Sequence, residues 1–181
     1  MQLLHESSAK LMVETRGADD GLSAGCCLGL AEVLKEEKKW REAEATYRKA
    51  LVSQRTAQGS NHPDTLRAAR QLAMVLKRQG KYEETEQLFR QLLQSYETVY
   101  GKDSTQAAAG CLQLAVVLKK RQQYVDAGSL GVRALQIHDA LLGEKHKTTM
   151  DNLAFLRDLS KRAKDKESWK QYYEAILKRR A

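Results

Sequence analysis

Four glycines, Gly17, Gly59, Gly101 and Gly143, stand 42 residues apart, and no other feature of the chain restricts its fold as strongly. Overlaid on itself at that offset, the sequence brings Leu30, Leu72, Leu114 and Leu156 into one column. Ala31, Ala73 and Ala115 follow beside them, and Leu34, Leu76 and Leu118 lie one helical turn further on. Trp40, Tyr82 and Tyr124 then align, as do Ala43, Thr85 and Ala127. Tyr47 pairs with Phe89, and Leu51, Leu93 and Leu135 share a column. A fixed period of this length signals one supersecondary unit stacked on copies of itself, each copy burying surface that its neighbour leaves open.

Within a period the spacing is that of two helices. In the second copy, Leu66, Ala69, Leu72, Ala73 and Leu76 form one apolar stripe at helical intervals. Pro63, the single proline of the chain, suits a first helical turn, with Asn61 or His62 near the cap. The stripe ends at Gly80, a residue suited to a helix C-terminus. A second stripe, Leu88, Phe89, Leu92, Leu93 and Tyr96, runs on toward Gly101. Glu86 and Arg90, and likewise Glu44 and Arg48, stand in the favourable order for ion pairs four residues apart on a helix. The small residues Ala73 and Thr85 would let the two helices approach closely. Strand-forming runs are missing, and Ala, Leu, Glu, Lys, Arg and Gln abound, so the expected class is all-α.

At 42% hydrophobic and 30% charged residues the chain is too apolar for disorder and too charged for a membrane protein. No apolar run approaches the roughly 20 residues of a bilayer span, and Met1–Ser8 lacks the pattern of a signal peptide. Three cysteines, Cys26, Cys27 and Cys111, give an odd count without C-x-x-C spacing, which argues against a disulfide framework or a zinc site. A reducing, cytoplasmic setting is the expectation. The net charge of +8 admits acidic protein, anionic lipid or nucleic acid as partner.

The run Leu72-Ala73-x-x-Leu76-x-x-x-Gly80-x-Tyr82-x-x-Thr85-x-x-x-Phe89-x-x-Leu92 resembles the tetratricopeptide repeat. The period, with Gly59-Ser60-Asn61-His62-Pro63-Asp64-Thr65-Leu66 leading into Gly80-Lys81-Tyr82-Glu83-Glu84, is similar to the kinesin light chain subtype. This resemblance implies an α-solenoid of helical hairpins wound into a right-handed superhelix. It divides the chain into a partial helix or cap over residues 1–16 and repeats over 17–58, 59–100 and 101–142. A degenerate fourth repeat with a C-terminal capping helix then covers 143–181. The third unit departs from the pattern: Gly128 and Gly131 lie inside its second helix, at about 1 kcal/mol each relative to alanine. Gly131 also stands in the column of Tyr47 and Phe89, so an aromatic contact is expected to be lost there. In the fourth unit Arg157 replaces the alanine and Ser160 the leucine, while Trp169, Tyr172, Tyr173, Ile176 and Leu177 can still dock a final helix.

Residues for catalysis do not assemble. Among His5, His62, His138 and His146 no metal-ligand spacing occurs, and capping or surface roles are expected for them. Lys147-Thr148 lacks the preceding glycine and strand of a phosphate-binding loop. Cys27 and Cys111 share a column on the buried side of the first helix, where thiols pack as small apolar groups. No enzymatic activity, small-molecule substrate, cofactor, metal or membrane role is expected.

The resemblance further implies a concave groove lined by the first helices. Its candidates are Arg67, Arg70, Met74, Lys77 and Arg78 in the second unit, then Leu112, Val116, Lys119 and Lys120 in the third. Ala154, Asp158, Lys161 and Arg162 follow in the fourth, while the first unit contributes Leu28, Glu32, Lys35 and Glu36. Basic residues recur in one column at Lys77-Arg78, Lys119-Lys120 and Lys161-Arg162. The expected function is that of a protein-interaction module or adaptor holding an acidic peptide with one or two apolar anchors. Lysine and arginine would grip carboxylates, and apolar patches would supply buried contact. Two other readings stay open: a structural, sensor or self-associating segment of a larger protein, and nucleic-acid binding. The last is disfavoured, because basic residues alternate with Glu and Asp and no exposed aromatic series offers a stacking surface.

Overall fold

Helix boundaries follow the period closely. The computed structural model describes residues 21–162 together with Tyr173, Glu174 and Lys178, with side chains described from Gly25 onward. Residues 21–162 form seven helices, and no strand occurs among the described residues. First helices of 16 residues are α1 (Gly21–Glu36), α3 (Pro63–Arg78), α5 (Thr105–Lys120) and α7 (Lys147–Arg162). Second helices of 19 residues are α2 (Trp40–Gln58), α4 (Tyr82–Tyr100) and α6 (Tyr124–Leu142). Residues 1–16 lie outside the described residues. So does most of the anticipated final helix, of which Tyr173 is helical and buried.

Helices α3, α5 and α7 each open on a side-chain cap at the same repeat position. His62 Nδ1 accepts from the Asp64 N–H at 3.3 Å, Ser104 Oγ from the Ala107 N–H at 3.1 Å, and His146 Nδ1 from the Thr148 N–H at 3.2 Å. Such caps satisfy donors that the first helical turn leaves without intrahelical partners. Pro63 occupies the first turn, where its missing N–H costs nothing.

Helices α1, α3 and α5 also end alike. At Lys38, Gly80 and Gln122 the backbone turns left-handed, with φ of 61°, 77° and 63°. The N–H of each bonds three residues back, to Lys35, Lys77 and Lys119. The next N–H reaches five residues back, to Leu34, Leu76 and Leu118. This is the Schellman arrangement, in which a left-handed residue closes off carbonyls that the helix can no longer pair. One of the three positions holds the glycine that the geometry favours; the other two carry lysine and glutamine. The second helices instead end on Gly59, Gly101 and Gly143, at φ of 87°, 90° and 85°.

The chain forms two compact units that divide between Leu88 and Phe89, inside α4. In the first, α2 packs against α1 and α3, with Ala31, Ala43, Tyr47, Ala50, Ala73 and Val75 fully buried. Ala73 and Thr85 have no exposed surface, in keeping with the close approach that small residues allow. Glu44, buried on α2, is held by Lys81 Nζ at 2.7 Å and by Arg48 four residues on; Arg48 also reaches Glu84 on α4. Burial pushes the Glu44 carboxyl up, but Lys81, Gln79 and Arg48 together outweigh it and hold the group below its ordinary value.

In the second unit α6 packs against α5 and α7. Ala108, Cys111, Ala134 and Ile137 form one cluster of its core, with Leu93, Leu112 and Leu130 against it. Gly131 is buried, but the aromatic side chain missing from its column is supplied from the facing helix. A Cβ built on Gly131 would lie 2.8 Å from Leu156 Cδ2 and 3.1 Å from Phe155 Cε1. Phe155 stands where earlier copies carry Gln71 and Gln113, so bulk has moved from α6 to α7 and the space stays filled. A similar trade occurs at Gly110, whose absent Cβ leaves room for Tyr96 Cδ2 at 3.2 Å. His138 departs from the expected capping or surface role: it is 2% exposed, with Nδ1 at 2.8 Å from Asn152 Nδ2. Both side chains are buried, and the pairing gives His138 Nδ1 and Asn152 Nδ2 a partner while the Asn152 Oδ1 is left without one.

Candidate peptide-binding face

The first helices carry their apolar stripe inward and leave most of the predicted groove residues on the opposite face. In the first unit Arg67, Arg70 and Arg78 are exposed, while Met74 and Lys77 are half-buried. On α1, Glu36 is exposed and Glu32 and Lys35 are half-buried, but Leu28 is buried in the core and not on the groove face. Burial pushes the Lys77 ammonium below its ordinary value, and the neighbouring Arg78 adds to the shift. Behind this face sits the Tyr47 hydroxyl. Its pKa is pushed well up by burial first, then by Glu32 and Glu36, with Arg67 opposing them. The phenol therefore remains neutral, and the charges of α1 and α3 surround it.

Near the C-terminal ends of α1 and α3 this face deepens into a cavity of about 310 Å³. Its walls are Lys35 and Glu36 of α1, Gln71, Met74, Val75 and Arg78 of α3, and Lys38 and Trp40 of the turn into α2. The turn is pinned to α3 by Gln79, whose Nε2 donates to the Trp40 carbonyl at 2.9 Å. Three cations and one carboxylate surround an apolar floor made by Met74, Val75 and Trp40, with Lys35 Nζ 3.7 Å from Glu36. Such a site can take an anionic group at the rim and an apolar side chain within. Lys35, Glu36, Met74 and Arg78 are among the positions that the family resemblance names for a groove. Lys38, Trp40 and Gln71 are not, although the turn position of Lys38 follows from its alignment with Gly80.

The same positions in the second unit, 84 residues later, are arranged differently. Lys119 stands for Lys35, Phe155 for Gln71, Asp158 for Met74 and Arg162 for Arg78. Lys119 Nζ is 2.7 Å from Asp158 Oδ2 and 5.1 Å from the centroid of the Phe155 ring. Arg162 Nε approaches the same carboxylate at 3.4 Å. Hydrogen bonding from Lys119 holds the Asp158 carboxyl below its ordinary value, despite some desolvation, and Arg162 contributes. Of the other candidates, Val116 and Leu112 are half-buried, Leu112 against the core cluster, while Lys120, Lys161 and Arg162 are exposed.

Cys27 and Cys111 are buried; burial pushes the Cys111 thiol up, with Arg133 opposing, so it stays protonated and unreactive. Among the described residues no group of three or more His, Cys, Asp and Glu could hold a metal ion. No described helix is long and apolar enough to cross a membrane.

Residues 23–98 match the tetratricopeptide repeat family. Residues 23–98 are tetratricopeptide repeats. No curated protein matches it. Among solved structures it is similar to BtubC (BKLC) from P. vanneervenii, with a TM-score of 0.77 at 20% identity over 98% of this chain and 69% of that one. A Podosopora anserina protein named for kinesin light chain, with nearly identical TPR-like repeats, gives 0.79 at 17% identity over 97% of this chain and 81% of that one. A methionine variant of that protein gives 0.78 at 17% identity, covering 98% and 86%. At these identities the likeness is one of fold: an all-α helical repeat. Tetratricopeptide repeats are generally protein–protein interaction modules and typically non-catalytic.

Proposed function

We propose that this tetratricopeptide repeat protein is an adaptor that holds an acidic peptide, with at least one apolar side chain, on its first-helix face. The observation that carries the reading is the cavity between the ends of α1 and α3, where Lys35, Lys38 and Arg78 ring a floor of Met74, Val75 and Trp40. Cationic side chains would fix carboxylates through charge-assisted hydrogen bonds. The apolar floor would bury an anchor, which is where most binding energy in such interfaces resides. Arg70 and Lys77, on the same helix, extend the cationic surface along α3.

The test is fluorescence anisotropy with a labelled peptide of alternating glutamate and leucine, against wild type, Arg78→Glu and the pair Arg70→Glu with Arg78→Glu. Loss of about tenfold or more in affinity is expected on reversing Arg78, since a charge-assisted bond worth about 1.5–3 kcal/mol is replaced by repulsion. Unchanged binding with helical circular dichroism intact would overturn the model. A single-stranded oligonucleotide run in parallel addresses the nucleic-acid reading: tighter binding than the peptide, with a steep salt slope, would favour that alternative.

A further inference from the structure

The two units treat equivalent positions differently, and the difference is where a carboxylate stands. Where the first unit has Met74 on the floor of its cavity, the second has Asp158, engaged with Lys119 at 2.7 Å and with Arg162 at 3.4 Å. Where the first has Gln71, the second has Phe155, lying 5.1 Å beneath the Lys119 ammonium. The cationic pair of the repeat column, Lys35 with Arg78 and Lys119 with Arg162, is therefore retained in both. In the first unit the exposed Glu36 lies 3.7 Å from Lys35 alone, whereas in the second one carboxylate, Asp158, engages both cations of the pair, with an apolar ring alongside.

We infer that Asp158 is a built-in occupant of the second unit's anion site, mimicking the ligand carboxylate and biasing acidic-peptide binding toward the first unit. This rests on the function proposed above and specifies where in the array it operates. The mimicry is chemical as well as positional. Lys119 is satisfied by Asp158 from one side and by the Phe155 ring from another, as it would be by an acidic peptide with an apolar neighbour. The latch is also weak enough to compete with. Asp158 is 44% exposed at its side chain, and partly exposed ion pairs contribute little, so no deep rearrangement opposes its release. Its effect is a local penalty for any incoming carboxylate, which must displace Asp158 and then lie beside it.

The experiment uses the full chain, a peptide of alternating glutamate and leucine as probe, and isothermal titration calorimetry at low salt. Wild type is expected to bind it, and Arg78→Glu to lose most of that binding, which silences the first unit. Adding Asp158→Asn in the Arg78→Glu background is expected to restore binding by about fivefold or more over Arg78→Glu alone, as competition and repulsion are both removed. Restoration should vanish again when Lys119→Met is added. It should not appear with Asp151→Asn, which changes net charge equally at an exposed position of α7. Asp158→Ala serves as a second variant should the asparagine retain the contact with Lys119. If wild type binds and Arg78→Glu does not, but neither Asp158 variant restores binding, the inference falls while the proposed function stands. Restoration that Asp151→Asn reproduces overturns it too, as a mere effect of net charge. If neither wild type nor any Asp158 variant binds the peptide, both fall together.

Discussion

Replacing Gly80 by alanine should destabilise this protein although the added methyl touches nothing. Gly80 sits at φ +77° in the Schellman turn that ends α3, and a Cβ built there meets no heavy atom within 4 Å. Any cost is therefore one of backbone conformation. An L-residue in the left-handed region loses roughly 1–2 kcal/mol, while the stiffer unfolded chain of an alanine variant returns about 0.4–1 kcal/mol. The net is a loss of about 0.8 kcal/mol. Gln122 occupies the equivalent position of the next repeat at φ +63°, so Gln122→Gly should gain a similar amount. For a domain of this size 1 kcal/mol shifts the melting temperature by about 2–4 °C, which puts Gly80→Ala about 2–3 °C below wild type and Gln122→Gly about as far above it. Gly29→Ala is the internal contrast. Gly29 lies exposed within α1 and its Cβ also meets nothing, so there alanine should stabilise by helix propensity, about 1 kcal/mol. The same chemical change is thus expected to carry opposite signs at two open sites. Thermal melts followed by circular dichroism, with urea midpoints as a second readout, would measure both. If Gly80→Ala is neutral or moves with Gly29→Ala, the strain argument is wrong.

Two further outcomes follow from the second unit. Gly131→Ala improves helix propensity but sets a methyl 2.8 Å from Leu156 Cδ2, so it should cost about 1–3 kcal/mol. Combining it with Phe155→Leu should recover part of that loss, and strictly additive denaturation midpoints would contradict the shared space. His138 is held below its ordinary pKa by burial first and by His146 second, with the Thr105 backbone opposing. Unfolded histidine gains its proton as pH falls through about 6.5 while the folded imidazole stays neutral, so the unfolded state binds more protons. Stability should then decline from about pH 6.5 toward the lower folded value, by at most about 1.4 kcal/mol per pH unit, and show no contribution from this group above that pH. Urea titrations at about pH 7.5 and 5.5, on either side of the ordinary histidine value, should show a smaller difference for His138→Gln than for wild type. An equal difference would remove His138 as the source.

The fold was legible because the period acts on backbone-determining residues: Pro63, the cap at His62, Gly80 and the leucine columns each state a local geometry that recurs at the same offset. Identity within a column was less informative than position. Lys38 and Gln122 adopt the turn of Gly80 without its residue type, because the two Schellman hydrogen bonds at each site hold a conformation that lysine and glutamine disfavour. The candidate face was legible only in outline. Arg78 and Met74 enter through the family resemblance, but the cavity they line needed Trp40 and Lys38 from a turn pinned to α3 by Gln79. Lys119 and Asp158 both stand among the expected groove positions, but their pairing is not readable, since a partner 39 residues away is invisible to periodicity. His138 escaped for the same reason, its partner Asn152 being 14 residues distant on another helix.

The exchange of bulk between Gly131 and Phe155 fixes the order in which these hairpins can follow one another. Excising residues 101–142 would keep every helix in register yet bring Phe89, the counterpart of Gly131, to face Phe155, two aromatic rings where the native contact has room for one. Duplicating the same segment would instead set Gly131 opposite Gln113 and leave the space without either ring. Hairpins that look interchangeable by their columns are thus keyed to particular neighbours, and recombination between them would be filtered by side-chain volume at a single pair of sites.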